Sequence, residues 1–90
     1  MVIDVARARD YLLKVMRDLI RERFEKSQDN YVEISFYEVL SMVPYSNTYV
    51  YSYFRSLCMF LGGEYERGRC VIKRETAEKI MRNEGVYPDE

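Results

Sequence analysis

The chain has 90 residues, 48% of them hydrophobic and 32% charged, with a net charge of −1. That is enough for one small domain spanning residues 1–90. It is too apolar for a disordered chain, and no apolar run approaches the roughly 20 residues needed to span a bilayer. With no histidine the commonest general base and metal ligand is missing, and no glycine-rich phosphate loop or nucleophile–base pair replaces it. Neither an enzyme nor a bound metal or cofactor is expected.

The N-terminal stretch lacks the apolar core and small-residue cleavage site of a signal peptide, so an intracellular location is expected. Cys58 and Cys70, the only two cysteines, cannot build a structural zinc site without further soft ligands. Both fall at apolar positions, which makes buried free thiols the expected state; a disulfide between them is the alternative. Abundant Arg, Glu, Tyr and Ile/Val with almost no glutamine lean towards a thermophilic source, where intracellular disulfides occur.

From Ile3 to Lys26, residues Val5, Ala8, Leu12, Val15, Met16, Leu19 and Ile20 form one apolar stripe, which predicts a long amphipathic helix. Asp4 is placed to cap its start, and Arg21, Arg23 and Lys26 suit its C-terminal end. Glu22 and Glu25 read as solvated helix charges. Val2, Val5, Ala6, Tyr11 and Leu13 lie off the stripe and need a cover. Either a second copy of the chain supplies it, or the last helix does.

Ser27–Asn30 reads as a polar linker and Tyr31–Ile34 as a short alternating strand. Ser35-Phe36-Tyr37-Glu38 is a capping box, with the Ser35 hydroxyl accepting from the Glu38 N–H and the Glu38 carboxylate reaching back to Ser35. It opens a helix to Met42, with Phe36, Val39, Leu40 and Val43 turned inward. Pro44 forces a turn. Ser46 then caps a second helix, 47–61, ended by Gly62-Gly63.

On that second helix Val50, Phe54, Leu57 and Leu61 share one face, flanked by Tyr53 and Cys58. The opposite face carries Thr48, Ser52, Arg55 and Met59, with Tyr51 at its edge. Arg55 is the helix's single charge, and a face of Ser, Thr, Tyr and Arg without an acid suits phosphates and base edges. Arg55 has the geometry to pair bidentately with guanine. Asn47 and Thr48, at the helix N-terminus, are placed to hold a phosphate or an adenine edge.

Glu64–Lys73 reads as a hairpin turning at Gly68, with Tyr65 facing the core and Arg67 and Arg69 flanking the glycine. Those arginines are placed either to meet DNA or to neutralise Glu64 and Glu66 across the strands. Thr76–Asn83 is a last short helix with Ala77, Ile80 and Met81 inward, ended by Gly85, and 86–90 is a tail. By segment, residues 1–45 carry net −1, residues 46–74 net +3 and residues 75–90 net −3. Positive charge therefore gathers in the second helix and the hairpin.

The order helix, strand, helix, turn, helix, hairpin, helix makes the expected fold class α+β. It resembles the winged helix-turn-helix DNA-binding family, in particular the small regulators common in archaea and their viruses and plasmids. The resemblance is one of pattern and covers nearly the whole chain. It implies a homodimer, formed through the first and/or last helix, that binds duplex DNA as a transcription regulator. Helix 47–61 would enter the major groove and the 64–73 wing would reach the adjacent backbone or minor groove. By residue this falls on Asn47, Thr48, Tyr51, Ser52 and Arg55 for the helix, and on Arg67 and Arg69 for the wing. The sequence departs from strongly basic members in its net charge, which implies weak non-specific affinity. The competing expectation is a protein-interaction module using Tyr45, Tyr49, Tyr51 and Tyr53, without DNA binding.

Overall fold

The computed structural model describes residues 5–82. They form helix α1 (Val5–Lys26), strand β1 (Tyr31–Ser35), helices α2 (Phe36–Met42) and α3 (Asn47–Phe60), strands β2 (Glu64–Glu66) and β3 (Arg69–Lys73), and helix α4 (Arg74–Arg82). The α+β class is thus realised as four helices and one antiparallel sheet in the order β1-β3-β2. The expected start at Ile3 with Asp4 as cap, the expected end at Asn83 and Gly85, and the tail 86–90 lie outside the described residues, as do the side chains of Val5 and Ala6.

The α1 stripe builds the floor of the core. Leu12, Met16 and Ile20 are fully buried against Val32 and Ile34 of β1, Val39 of α2, Val50, Phe54 and Cys58 of α3, Ile72 of β3 and Ala77 of α4. Alternation along the strands puts Val32, Ile34, Cys70 and Ile72 inward, and Tyr31, Glu33, Arg69 and Lys73 on the outer face. Leu13, expected off the stripe and in need of a partner, is only 3% exposed. Tyr11 rests edge-on against Tyr45, at 6.1 Å between ring centroids. Leu13 is thus covered within one copy of the chain, while Tyr11 stays 43% exposed despite that contact.

The capping box forms. Ser35 N–H donates to Glu38 Oε1 at 3.0 Å, and the Ser35 hydroxyl accepts from the first turn of α2. Glu38 also forms an ion pair with Arg23, tying α2 to the end of α1. Ser35 is at once the last residue of β1 and the N-cap of α2, so no linker separates them.

Helix α3 ends one residue earlier than expected, in a Schellman arrangement. Gly62 takes a positive φ of 86°, its N–H donates to Met59 O, and Gly63 N–H donates to Cys58 O. Gly63 then runs so close to β3 that an added Cβ would stand 2.7 Å from Ile72 Cγ1 and 3.0 Å from Cys70 Sγ. Only glycine fits there.

Two expectations are corrected. Cys58 and Cys70 are not free thiols but a disulfide, fully buried, joining α3 to β3. Closing a loop of this length stabilises a domain by about 3 kcal/mol in the chain-entropy account. The residues supply the reason: Cys58 is on the inner face of α3, and the sheet alternation turns Cys70 towards it. The last helix starts at Arg74, two residues before Thr76, because β3 and α4 share a junction that Arg74 holds. Its backbone N–H donates to Asn30 O at 2.8 Å. Its guanidinium donates to Ser27 O at 2.7 Å and Phe24 O at 3.3 Å, and lies 4.1 Å from the centre of the Phe24 ring. A side chain from the far end of the chain thereby caps α1.

Among the described residues no helix is long and apolar enough to cross a membrane.

Candidate nucleic-acid interface

The exposed face of α3 is laid out as its sequence periodicity dictates. Asn47, Thr48, Tyr51, Ser52, Arg55 and Met59 are all exposed, while Val50, Phe54, Leu57 and Cys58 are buried. Ser46 caps the helix, accepting from Tyr49 N–H at 3.3 Å, and no acid stands in its first turn. The positive end of the helix dipole is therefore uncompensated beside Asn47 and Thr48. Ser52 donates its hydroxyl proton to Thr48 O at 3.0 Å, which leaves its lone pairs outward to accept rather than donate.

Arg55 makes no ion pair among the described residues. Its guanidinium instead sits over the ring of Tyr65, 5.7 Å from the centroid. Tyr65 belongs to a closed circuit of four rings drawn from three elements. Phe36 of α2 touches Tyr51 (5.8 Å) and Phe54 (5.9 Å) of α3, and Tyr65 of β2 touches the same two at 6.2 and 5.9 Å. The contacts are edge-to-face, the arrangement that ring quadrupoles favour. The Tyr65 phenol is pushed above its ordinary range, first by its hydrogen bond with Tyr51 and then by burial; a backbone hydrogen bond at Gly68 and the Arg55 charge pull it back in part.

The hairpin is short. β1 pairs with β3 along its whole length, Tyr31 opposite Lys73 through to Ser35 opposite Arg69. Only the turn Arg67-Gly68 extends past the ladder, and Phe36 N–H donates to Gly68 O at 2.8 Å. The turn is thus fastened to the start of α2 rather than projecting as a free arm. Arg67 (φ 48°) and Gly68 (φ 79°) both have positive φ, the signature of a type I′ turn. Arginine is a poor residue for that conformation, which Asn, Asp or Gly adopts at less cost.

The two expected tip arginines are separated. Arg67 is at the turn, exposed and without an ion pair among the described residues. Arg69 is the first residue of β3 and points to the outer face of the sheet, across from α3. There it pairs with Glu33 of β1 at 3.1 Å, with both side chains at least half exposed. Its partner is thus neither Glu64 nor Glu66. The structure brings together Tyr51, Arg55, Tyr65 and the turn, with Asn47, Thr48 and Ser52 along the same helix face, and leaves Arg69 on the other side. Arg74, counted in the positive segment, is engaged in capping α1.

Sequence reading missed two residues here. Tyr65 reads as a core position because alternation turns it inward with Cys70; that the inward side leads to the edge of α3 could be foreseen only by knowing that Tyr51 and Arg55, four residues apart, overhang it. Tyr37, 74% exposed at the start of α2 and 5.4 Å from Phe36, carried no signal beyond its type. The tyrosines of the competing expectation behave differently from one another. Tyr45, Tyr49 and Tyr53 stack in a ladder at 5.6 and 5.1 Å and are only part-exposed, whereas Tyr51 is 47% exposed.

No protein-family model, curated protein or solved structure matches this chain.

Proposed function

We propose that this chain is a winged helix-turn-helix protein that binds duplex DNA sequence-specifically and regulates transcription, with α3 as the helix that enters the major groove and the β2–β3 hairpin as a short wing. The observation that carries the reading is the exposed face of α3: small hydroxyl and amide groups around a single charge, Arg55, which no carboxylate neutralises among the described residues. A helix surface evolved only for solvation would more often carry Glu and Lys. A face that must approach phosphates and base edges excludes acids and favours Arg, Ser, Thr and Asn. Arg67 extends that positive edge at the turn, from a positive-φ backbone that residues other than glycine seldom adopt.

The reading also implies two copies on a two-fold operator, each placing α3 in a major-groove half-site one helical turn apart. The interface would use the N-terminal turns of α1, α4, or both. Sedimentation velocity with and without duplex tests this part.

A second reading, docking of another protein, is favoured by one observation: Met59 and Phe60, at the C-terminal end of α3, are 63% and 44% exposed. The two readings differ in salt dependence. Fluorescence anisotropy of a labelled random duplex pool, with wild type and Arg55→Ala across a salt series, separates them. The DNA reading expects binding that weakens as salt rises and is reduced by Arg55→Ala. Absence of binding at low salt with about 10⁻⁴ M protein, the weak end of ordinary non-specific affinity, would overturn it.

A further inference from the structure

We propose that Tyr65 of the hairpin is a positioning residue for the α3 face, seating the Arg55 guanidinium over its ring and bracing the Tyr51 ring edge to face; this rests on the DNA-binding reading above. The hairpin then acts less as a separate contact arm than as a support that presets two α3 side chains.

The geometry points this way from three sides. Arg55 lies 5.7 Å from the centre of the Tyr65 ring. Tyr51, one helical turn before Arg55 on the same edge of α3, meets Tyr65 edge to face at 6.2 Å between ring centroids. Tyr65 itself is held from behind: it packs on the buried ring of Phe54 and stands opposite Cys70 in the β2–β3 register, the cysteine whose sulfur is bonded to Cys58 of α3. The support therefore cannot drift relative to the helix it serves.

An unsupported arginine has many rotamers and loses that freedom on binding. A guanidinium already stacked on an aromatic ring loses less, so more of its interaction energy survives as affinity. The edge-to-face ring contact does the same for Tyr51. The Arg55 N–H donors meet no acceptor among the described residues, which leaves them open for a bidentate contact.

The test is a double-mutant cycle, Arg55→Ala against Tyr65→Leu, read by affinity for the duplex that wild type prefers and for the same duplex altered at each base pair. Tyr65→Leu keeps an apolar side chain on Phe54 but removes the ring under Arg55. It is expected to weaken binding about three- to fivefold, the size of an exposed cation–π contact. The loss should be concentrated at the base pair whose preference Arg55→Ala abolishes. In the Arg55→Ala background the same change should add less than about twofold. Tyr65→Phe, which keeps the ring, should retain the Arg55-dependent preference, and Tyr65→Trp should rescue it.

Equal, additive losses in both backgrounds, spread over all sequences, would overturn the proposal and leave Tyr65 a packing residue. A protein-only readout covers failure of Tyr65→Leu to fold. The Arg55 side-chain NMR resonances should carry a ring-current shift in wild type and in Tyr65→Phe; its absence from wild type also overturns the proposal. If wild type binds no duplex at all, the DNA-binding reading itself fails. If it binds and the cycle is additive, only the positioning role does.

Discussion

Arg74 and Arg55 contribute equally to the positive charge of the segment that holds them, and the molecule uses them in opposite ways. At the β3–α4 junction, Arg74 turns back on the fold, donating to carbonyls at the end of α1 and stacking on Phe24. On the exposed face of α3, Arg55 has a tyrosine beneath it and, among the described residues, no ion pair. Both lie over aromatic rings, so stacking does not separate them. What does is the presence of unsatisfied helix carbonyls: where these are in reach, a guanidinium becomes a structural cap, and where they are not, it stays turned to solvent with its donors unused.

The comparison breaks if the two arginines can be exchanged in effect. Arg74→Met keeps the length and apolar stem but removes the donors, leaving the Phe24 and Ser27 carbonyls short of partners. It should destabilise the protein by about 2–3 kcal/mol, given the worth of hydrogen bonds to charged groups, which in a domain of this size lowers the thermal midpoint by roughly 10–20 °C. Base preference measured below the new midpoint should be unchanged. Arg55→Ala is expected to reverse the pattern. It should cost about 1–3 kcal/mol of discrimination at one base pair while urea unfolding moves by less than about 0.5 kcal/mol. A large stability loss from Arg55→Ala, or an altered base preference from Arg74→Met, would dissolve the distinction.

The same pair shows how far the sequence could be read. The order of elements was legible because periodicity and caps state it locally: the α1 stripe, the Ser35 capping box, Pro44, Ser46 and the glycine pair each mark a boundary where the chain has one. The face of α3 was legible for the same reason, since a helix sorts its own residues by angle. Arg74 was not, because its partners Phe24 and Ser27 are far away in sequence and nothing in a charge count distinguishes a cap from a free cation. The disulfide was half legible: both cysteines were placed at inward positions, but that one inward position looks onto the other depends on how the hairpin folds over α3. Tyr65 fell between, correctly turned inward, towards an edge that only the packing of three elements creates.

A smaller effect is expected at the turn. Arg67, at φ 48°, holds a conformation that costs an ordinary residue about 1–2 kcal/mol and asparagine less. Arg67→Asn should therefore stabilise the protein by about 0.5–1 kcal/mol, measured by urea unfolding, and weaken duplex binding. Removing one cation from the phosphates should make the slope of log affinity against log salt shallower by about 0.9. A gain in stability with no change in binding would make Arg67 a merely tolerated turn residue, and would confine the interface to α3.

The smallest expected effect asks whether the outer face of the sheet takes part at all. Arg69 is held at 3.1 Å by Glu33, across the sheet from Arg55. An exposed pair of this kind is worth at most about 1 kcal/mol, so Glu33→Gln should shift stability by less than about 0.5 kcal/mol. What it changes is the freedom of Arg69. If the duplex wraps from α3 past the turn to the first residue of β3, releasing Arg69 places one more cation on a phosphate, and the salt slope should steepen by about 0.9. If the duplex stops at Arg67, the slope stays as it is and affinity rises only slightly, through the removal of one distant negative charge that salt already screens beyond roughly 10 Å. The short hairpin argues for the second outcome. A turn fastened to Phe36 cannot carry Arg69 outward, and a guanidinium on the far face of the sheet would have to leave its carboxylate and cross the strand edge to reach a backbone lying along α3. An unchanged slope for Glu33→Gln beside a shallower one for Arg67→Asn would therefore draw the boundary of the interface between two residues that are separated by a single glycine.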